Sequence, residues 1–437
     1  MTQPPFACSL VATIAALRTG RQTSETVTHS LLDRVAATDA NVQAWAYLDR
    51  EHALTLARAA DELRHAGIDA GPLAGIGIGV KDVIATGDQP TQLGSPIFAG
   101  AQPAFDAECI VRLKRAGGFV LGKTVTTEFA FMQPGKTRNP WNAAHTPGGS
   151  SSGSAASVAL GQVHAALGTQ TNGSVVRPAA YCGVVGFKPT KDVLPFGGAA
   201  LFSPTLDTLG VFARTVGDCA LVAGCLAERE ASALGVAPLT RLPRLAWLTD
   251  FPWVAAGAEQ RAASEAALAV LRREGAAVTP VTLPDHCRES HLLHRCIMLH
   301  EGAGELGALQ ERERQRMSAK LNAALDEGRA IDASAYAEAL AQRNEAMTAL
   351  SVWLAPYDAI VAPPAPGPAP SDLTQTGDPS CCTLWSFVGF PAISIPVGFA
   401  PNGLPLGLQM AAAPGTDDRL LAVAQWCEAR LGFKGLV

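Results

Sequence analysis

The stretch TPGGSSSGSAASVALGQVHAALGTQTNGSVVRPAAYCGVVGFKPT, residues 146–190, combines many glycines and serines with apolar runs. Glycine and serine at this density are typical of flexible linkers. The interruptions SVAL, HAAL and YCGVVGF instead indicate buried structure. SAASVALGQV has the pattern of a helix, HAALGTQT that of a strand, and VVRPAAYCGV that of a turn and a helix. The stretch therefore predicts alternating helix and strand inside a core.

The same alternation continues on both sides of this stretch. PLAGIGIGVKD predicts a strand that ends at Lys81, and ECIVRLKRAGG followed by FVLGKTV predicts a helix and then a strand. After a helical stretch over 255–355, the segments YDAIVAPP, PAISIPVGF and GLPLGLQMAAA predict strands again, and TDDRLLAVAQWCEARL predicts a closing helix. This order favours one large α/β domain with a sheet flanked by helices.

Composition and charge exclude several classes of protein. The chain has 437 residues, of which 48% are hydrophobic and 17% charged, so a sizeable core is expected. The net charge is −5 and no basic run is present, so we expect no nucleic-acid partner. No apolar run approaches the roughly 20 residues that span a bilayer, so we expect no membrane partner.

The cysteines and histidines do not form a recognisable metal motif. Ten cysteines are present without a CxxC pair, which favours reduced thiols in a cytoplasm. Six cysteines and histidines do cluster in one helical stretch, but their spacing fits no standard zinc pattern: His286, Cys287, His291, His294, Cys296 and His300. We therefore predict that this cluster does not hold a metal.

The segment GGFVLGKT, from Gly117 to Thr124, has the letters of a phosphate-binding loop. Such a loop requires a strand before its first glycine and a helix after its lysine. Here the predicted order is inverted, because a helix precedes Gly117 and the apolar residues that follow form a strand. The segment is therefore predicted to be a helix-to-strand turn and not a nucleotide site.

A serine hydroxyl becomes a useful nucleophile only when a base takes its proton. Neither His145 nor His164 lies in a recognised triad context, and no G-x-S-x-G elbow is present. A lysine is an alternative base if burial keeps it neutral. Lys81 is such a lysine, and the competing interpretation is a surface lysine at a strand end.

Taken together, these segments closely resemble the amidase signature family of hydrolases. The resemblance covers nearly the whole chain and includes the glycine- and serine-rich block, PLAGIGIGVKD, AGGFVLGKTVTTEFAF, TRNPWN, SPTLDTLGVFARTVGD and VGFPAISIPVGFAPNGLPLGLQM. It implies a single domain over 1–437 with a large mixed sheet flanked by helices on both faces. Its expected parts are N-terminal helices (1–70), the signature core (71–240), a variable helical cap (255–355) and C-terminal strands with a final helix (356–437).

The resemblance also implies a Ser–cisSer–Lys triad. Ser174 matches the family nucleophile, Ser150 the bridging serine after a cis peptide bond, and Lys81 the base. The backbone N–H groups of four residues match the oxyanion hole: Thr171, Asn172, Gly173 and Ser174. The implied reaction is acyl transfer from a linear amide, which needs neither a metal nor an organic cofactor. Ser151, Ser152 and Ser154 are expected to support the site by hydrogen bonds, and Ser152 is also expected to touch the triad or substrate.

The sequence departs from the common family text GTDTGGSIR at three points. Gln170 replaces the aspartate, Asn172 replaces a glycine, and Arg177 lies three residues after the nucleophile instead of two. This variant is similar to the malonamidase-like branch, in which the matching arginine binds a substrate carboxylate. Arg177 is therefore either a carboxylate-binding residue or one half of a structural ion pair.

Several readings stay open at this stage. Small amides, aryl amides, carbamates and esters all present a carbonyl to an oxyanion hole, so a urethanase is included. A glutaminase-type subunit of a tRNA-dependent amidotransferase is the main alternative. The expected partner is a small-molecule amide in the cytoplasm, and a homodimer is left open.

Overall fold

The computed structural model describes residues 3–230 and 235–437. Eleven strands of this part of the chain form one sheet, in the order β1-β3-β2-β4-β6-β5-β10-β11-β9-β7-β8. The strands are β1 Trp45–Tyr47, β2 Gly77–Lys81, β3 Phe119–Thr124, β4 Ala165–Gln170, β5 Val185–Lys188, β6 Thr208–Ala213, β7 Arg244–Leu248, β8 Ala277–Val281, β9 Ala359–Ala362, β10 Ala392–Phe399 and β11 Pro405–Ala411.

The sheet is mixed. Strand β2 runs parallel to both β3 and β4, and β7 runs parallel to both β8 and β9. Antiparallel pairs join these two parallel groups through β6, β5, β10 and β11. The predicted α/β class with a large mixed sheet is confirmed.

Helices cover the sheet on both faces. They are α1 Leu10–Arg18, α2 Ser24–Val42, α3 Arg50–His65, α4 Glu108–Arg115, α5 Ser152–Ala159, α6 Val176–Cys182, α7 Val216–Leu226, α8 Ala258–Arg273, α9 Ser290–Glu313, α10 Ala319–Ala330, α11 Ala333–Leu354, α12 Thr383–Phe387 and α13 Asp417–Leu431. Successive side chains of a strand point to opposite faces. On β9, Val361 packs in one core with α8 and α13, whereas Ile360 packs in a second core with α9, α10 and α11.

Strands β2, β3 and β4 are buried along their whole length. Strands covered on both faces are usually apolar throughout. These strands are mostly apolar, and their two charged side chains are Lys81, the last residue of β2, and Lys123 on β3, both with 0% of their surface exposed. Each of these two lysines therefore requires a specific set of polar partners.

The predicted helix-to-strand turn at Gly117 is confirmed. Helix α4 ends at Arg115, Gly117 has a φ of +84°, and β3 begins at Phe119. A Cβ atom at Gly117 would lie 2.2 Å from the carbonyl oxygen of Ala70, so the position requires glycine. With its apolar residues inside a strand, the segment cannot fold around a phosphate.

The three helices α9, α10 and α11, which we call the cap helices, stand over the face that holds the second core. The stretch predicted to be helical also contains β8, which forms one edge of the sheet. Its residue Pro280 is tolerated there because an edge strand leaves one row of N–H groups unpaired. Within the described residues, no helix is both long and apolar enough to cross a membrane.

Candidate active site

Lys81 is the centre of a buried polar site at the end of β2. Its Nζ lies 2.7 Å from the Oγ of Ser150 and 2.7 Å from the Oγ1 of Thr169 on β4. Burial lowers the pKa of this lysine to about 7, and the charge of Asp207 opposes that shift. Near neutral pH a substantial fraction of Lys81 is therefore an uncharged amine with a lone pair available.

Ser150 belongs to the loop that leads into α5. The peptide bond between Gly149 and Ser150 is cis, as the resemblance implies. Gly148 before it has a φ of +83°, and a Cβ there would lie 2.8 Å from the Cα of Pro178. Glycine thus lets this loop lie directly against α6, which holds Ser150 next to Lys81.

The serines that follow Ser150 hold the loop and α5 against the sheet. Ser151 donates to the carbonyl oxygen of Thr169 at 3.2 Å. Ser152 is buried and donates to the carbonyl oxygen of Val125 at 3.2 Å, and it is not among the residues that line the cleft described below. In this structure the hydroxyl of Ser152 is engaged with the scaffold.

The turn 171–174 connects β4 to α6 and faces the cleft. The backbone N–H groups of Asn172, Gly173 and Ser174 donate to no acceptor among the described residues. Ser174 is 8% exposed, and its Oγ makes no hydrogen bond to any described residue. The turn therefore presents free backbone donors and a free hydroxyl to whatever enters the cleft, beside the strand end that carries Thr169.

Gln170 fixes the turn from within. Its amide oxygen accepts the N–H groups of Val175 at 2.8 Å and Val176 at 3.0 Å, and its amide nitrogen donates to the Oγ of Ser386 at 3.0 Å. Ser386, on α12, donates in turn to the carbonyl oxygen of Asn172 at 2.5 Å. A glutamine can be acceptor and donor at once, so the exchange of aspartate for Gln170 is accommodated without a buried charge.

The cleft over the turn has an empty volume of about 470 Å³, part of it open to solvent. One wall is apolar and includes Met132, Met298 and the rings of Phe131 and Phe202, which stack with centroids 4.7 Å apart. The lining also contains the turn itself, Arg177 and Thr376. The cleft thus combines an apolar wall with one cationic side chain.

Arg177 is 4% exposed and lines this cleft. Its Nη2 donates to the carbonyl oxygen of Gly149 at 2.8 Å and to the Oγ1 of Thr376 at 3.0 Å. Its Nε and Nη1 are buried without a hydrogen-bond partner, and no carboxylate of the described residues lies within ion-pair distance. The structural ion pair that was the alternative role for Arg177 is therefore not found among the described residues.

Several residues of the site were not predicted. Thr169 contacts Lys81, His294 donates to the carbonyl oxygen of Thr171, and Asp207 accepts the Thr171 hydroxyl. Asp207 lies in SPTLDTLGVFARTVGD, so the motif was visible although its role was not. His294 belongs to the histidine and cysteine cluster for which we predicted no metal. Nothing in the spacing of that cluster indicates the contact with Thr171.

Comparison with known proteins places the chain among amide-processing enzymes. The model of the amidase family matches residues 26–421. The chain is 33% identical to one subunit of the glutamyl-tRNA(Gln) amidotransferase of Chloroflexus aggregans, over 93% of each chain. The fold is similar to the crystal structure of an amidase (TM-score 0.89, 30% identity, 97% of this chain and 100% of that one) and to peptide amidase from Stenotrophomonas maltophilia (0.83, 29%, 98% of each).

Proposed function

The chain belongs to the amidase family, and from that premise we propose that it is a serine hydrolase that cleaves the C–N bond of a linear amide. In this proposal Ser174 is the nucleophile, Ser150 relays the proton and Lys81 is the base. The observation that carries it is the 2.7 Å contact between the Nζ of Lys81 and the Oγ of Ser150, together with the burial that keeps part of the Lys81 amine uncharged near neutral pH.

The first step is the attack of Ser174 on the amide carbonyl carbon. The Ser174 hydroxyl makes no hydrogen bond to Ser150 in the free protein, so the proposal requires that contact to form in the substrate complex. The Ser174 proton then passes to Ser150, the Ser150 proton passes to the lone pair of Lys81, and the new bond joins the Ser174 Oγ to the carbonyl carbon. The Oγ1 of Thr169 accepts a hydrogen bond from the Lys81 amine, which leaves the lone pair of the amine free to point toward Ser150. General-base assistance of this kind contributes about 10²- to 10⁴-fold in rate.

The negative charge then develops on the former carbonyl oxygen. We assign the oxyanion hole to the N–H groups of the turn 171–174, where the backbone donors of Asn172, Gly173 and Ser174 have no other acceptor among the described residues. When the intermediate collapses, the C–N bond breaks and the leaving nitrogen takes the proton back from Lys81 through Ser150. Water then hydrolyses the acyl-enzyme by the same relay.

The unpaired nitrogens of Arg177 are evidence for an anionic substrate. A buried guanidinium with two unpaired nitrogens loses hydration without replacement, so a ligand that supplies a carboxylate relieves that cost. Arg177 and Ser174 line the same cleft, so a substrate bound there can contact both side chains. We therefore infer that the preferred acyl group is short and ends in a carboxylate, as in the monoamide of a dicarboxylic acid.

A second candidate is the glutaminase-type subunit of a tRNA-dependent amidotransferase. The amidotransferase subunits of Chloroflexus aggregans and Roseiflexus castenholzii favour it, at 33% and 34% identity over 93% of this chain. Glutamine also carries a carboxylate that would suit Arg177. It additionally carries an ammonium group, and none of the described residues that line the cleft is acidic.

The buried carboxylate of Asp207 touches the lining residue Thr171, but both of its oxygens already accept hydrogen bonds. The acidic residue next to the lining segment in sequence is Asp378, between Gly377 and Pro379. Its Oδ1 already accepts the N–H of Ser380 at 2.8 Å and the Ser380 hydroxyl at 2.5 Å. Asp378 is exposed and is not among the residues that line the cleft, so a bound glutamine ammonium would have no acidic lining residue to contact. This observation favours an acid amide without an amino group over glutamine.

The test compares three amides of similar length: succinamate, its neutral counterpart butyramide, and L-glutamine. We expect succinamate to exceed butyramide by about 10- to 100-fold in kcat/KM, the value of one or two charge-assisted hydrogen bonds. Arg177→Met should remove that ratio, and Ser174→Ala should abolish turnover of every substrate while the protein remains folded. Equal rates for succinamate and butyramide would exclude the carboxylate-binding role, and an unchanged rate in Ser174→Ala would exclude the mechanism.

Preference for L-glutamine, or turnover only after addition of amidotransferase partner subunits, would support the second candidate. Carbamates and esters belong in the same panel, because both present a carbonyl to the same turn. A fluorophosphonate that labels a serine, followed by mapping of the adduct, identifies the nucleophile independently of any substrate. The adduct is expected on Ser174.

A further inference from the structure

The cap helix α9 reaches the turn 171–174 directly. The Nε2 of His294 lies 3.0 Å from the carbonyl oxygen of Thr171, and His294 is 1% exposed. Because a carbonyl oxygen only accepts, Nε2 carries the hydrogen and donates. Burial lowers the pKa of His294 to about 4, so the ring is neutral near pH 7. The contact is thus a neutral hydrogen bond between the cap and the turn.

The same face of α9 holds a second part of the site. Glu301 lies seven residues after His294, which is about two helical turns, so both side chains leave the same side of the helix. Glu301 accepts hydrogen bonds from the backbone N–H of Thr205 at 3.0 Å and from the hydroxyl groups of Ser203 and Thr205 at 2.5 Å each. It therefore fixes the loop that precedes β6.

That loop leads back to Thr171. The N–H groups of Phe202 and Ser203 donate to Oδ2 of Asp207 at 2.8 and 3.0 Å, and Oδ1 of Asp207 accepts the hydroxyl of Thr171 at 2.5 Å. Helix α9 thus holds Thr171 by two routes. One is direct, through its carbonyl oxygen, and the other passes through the loop and Asp207 to its side chain.

The direct route has a stereochemical consequence for the oxyanion hole. The carbonyl of Thr171 and the N–H of Asn172 belong to one planar trans peptide group and point in opposite directions. When His294 fixes the direction of the Thr171 carbonyl, it also fixes the direction of the Asn172 N–H. Ser386 acts in the same way on the next peptide group, because its bond to the Asn172 carbonyl sets the direction of the Gly173 N–H.

We propose that His294 of the cap helix α9 is a positioning residue that aims the Asn172 N–H at the developing oxyanion. The inference rests on the proposed function, since it concerns how that reaction's oxyanion donors are held. It gives the cap a part in the chemistry in addition to shaping the cleft. It also assigns a role to one member of the histidine and cysteine cluster, whose neighbours His291 and His300 stack on Trp253 and Tyr336.

The test uses two substitutions at this position. His294→Leu keeps an apolar side chain but removes the donor, and we expect kcat to fall about 10- to 100-fold with KM nearly unchanged, because a small displacement of an oxyanion donor acts on the transition state. His294→Gln places a side-chain N–H near the position of Nε2, and we expect it to recover most of the activity. The same order of variants is expected for the rate at which a fluorophosphonate labels Ser174.

The matched control is Leu299→Ala, a fully buried residue of α9 that lies in the second core. It should lower the thermal midpoint at least as much as His294→Leu and leave kcat unchanged well below that midpoint. An equal loss of kcat in Leu299→Ala, or an unchanged kcat in His294→Leu, would overturn the inference. Either result leaves the proposed function standing as long as Ser174→Ala is inactive, whereas activity in Ser174→Ala would remove the proposed function itself.

Discussion

The ends of strands β2 and β3 each bury a lysine, and the two sites differ in what surrounds the amine nitrogen. The strands are parallel neighbours, with Val80 paired to Lys123 and Lys81 paired to Thr124. Lys123 lies 3.7 Å from the carboxylate of Asp82 and also donates to the carbonyl oxygen of Ile84 at 2.8 Å. Lys81 contacts hydroxyl groups and has no carboxylate within ion-pair distance among the described residues.

The titration of the two lysines follows from this difference. Burial lowers the pKa of both, to about 7 for Lys81 and to about 8 for Lys123, where the charge of Asp82 opposes the effect of burial. Burial raises the pKa of Asp82 to about 6, so at neutral pH Lys123 and Asp82 are both charged. Burial alone therefore does not make a lysine a base. The absence of an adjacent carboxylate leaves Lys81 available to accept a proton.

The largest expected effect is on activity at the end of β2. Lys81→Met removes the base and should lower kcat/KM for amides by about 10³- to 10⁴-fold, because proton transfer from Ser150 then has no acceptor. The free energy of unfolding should change little or increase, since methionine avoids burying an amine. Steady-state kinetics and urea unfolding of the same preparation measure both quantities. Retained activity would contradict the assignment of Lys81 as the base.

The next effect is on stability at the end of β3. Lys123→Met leaves the buried carboxylate of Asp82 without its partner and should cost about 3–5 kcal/mol in free energy of unfolding. The double variant Lys123→Met, Asp82→Asn should recover part of that loss, because the amide keeps the bond to the Gln92 N–H without a charge. The folded fraction should retain its kcat. If Lys123→Met lost turnover without losing stability, Lys123 would have a catalytic role and the contrast with Lys81 would be wrong.

The smallest effect is a pH dependence that separates the two lysines. With a pKa of about 7 for Lys81, turnover should fall about tenfold for each pH unit below that value and level off above pH 8. Lys123→Met should leave the midpoint in place. A profile that is flat from pH 5.5 to 8 would contradict a neutral Lys81 as the base.

The same shift of pKa gives a signed prediction for stability. Lys81 has a pKa near 10.5 when unfolded and about 7 when folded, so between these values the unfolded chain binds more protons. The stability contributed by this group therefore increases with pH from about 7 to 10.5 and is lost as pH falls toward 7. Lys81→Met should reduce the slope of stability against pH in that window, measured by urea unfolding.

The sequence predicted much of the fold because its local signals agree with the final structure. The helix and strand order of the signature stretch, the strand that ends at Lys81 and the turn at Gly117 are all short-range features, set by apolar periodicity and by glycine. Strand β1 lay inside a stretch predicted to be helical, since Trp45–Tyr47 is too short to show a period. Strand β8 was missed for a related reason: AVTPV is an exposed edge segment that contains a proline, so it lacks the apolar alternation of a strand.

In the candidate site, too, some residues could be predicted from the sequence and others could not. Residues that motifs identify, such as Ser150 and Ser174, could be named from the text of the sequence. Residues that hold them in place could not, because the bonds of Gln170 to Ser386 and of His294 to Thr171 join positions 216 and 123 residues apart. Nothing in local spacing encodes such a contact.

The sequence by itself therefore determined the class of fold and the family, and it predicted the reactive side chains, since all of these depend on patterns that lie within a few tens of residues. Only the tertiary structure decided that Lys123 has a carboxylate within ion-pair distance whereas Lys81 has none among the described residues, that Arg177 has no ion-pair partner in the described part of the chain, and that the cap helix α9 is hydrogen-bonded to the turn 171–174. These properties depend on burial and on distances between groups far apart in the chain. The same side chain titrates, binds or stabilises differently according to the neighbours that packing brings to it.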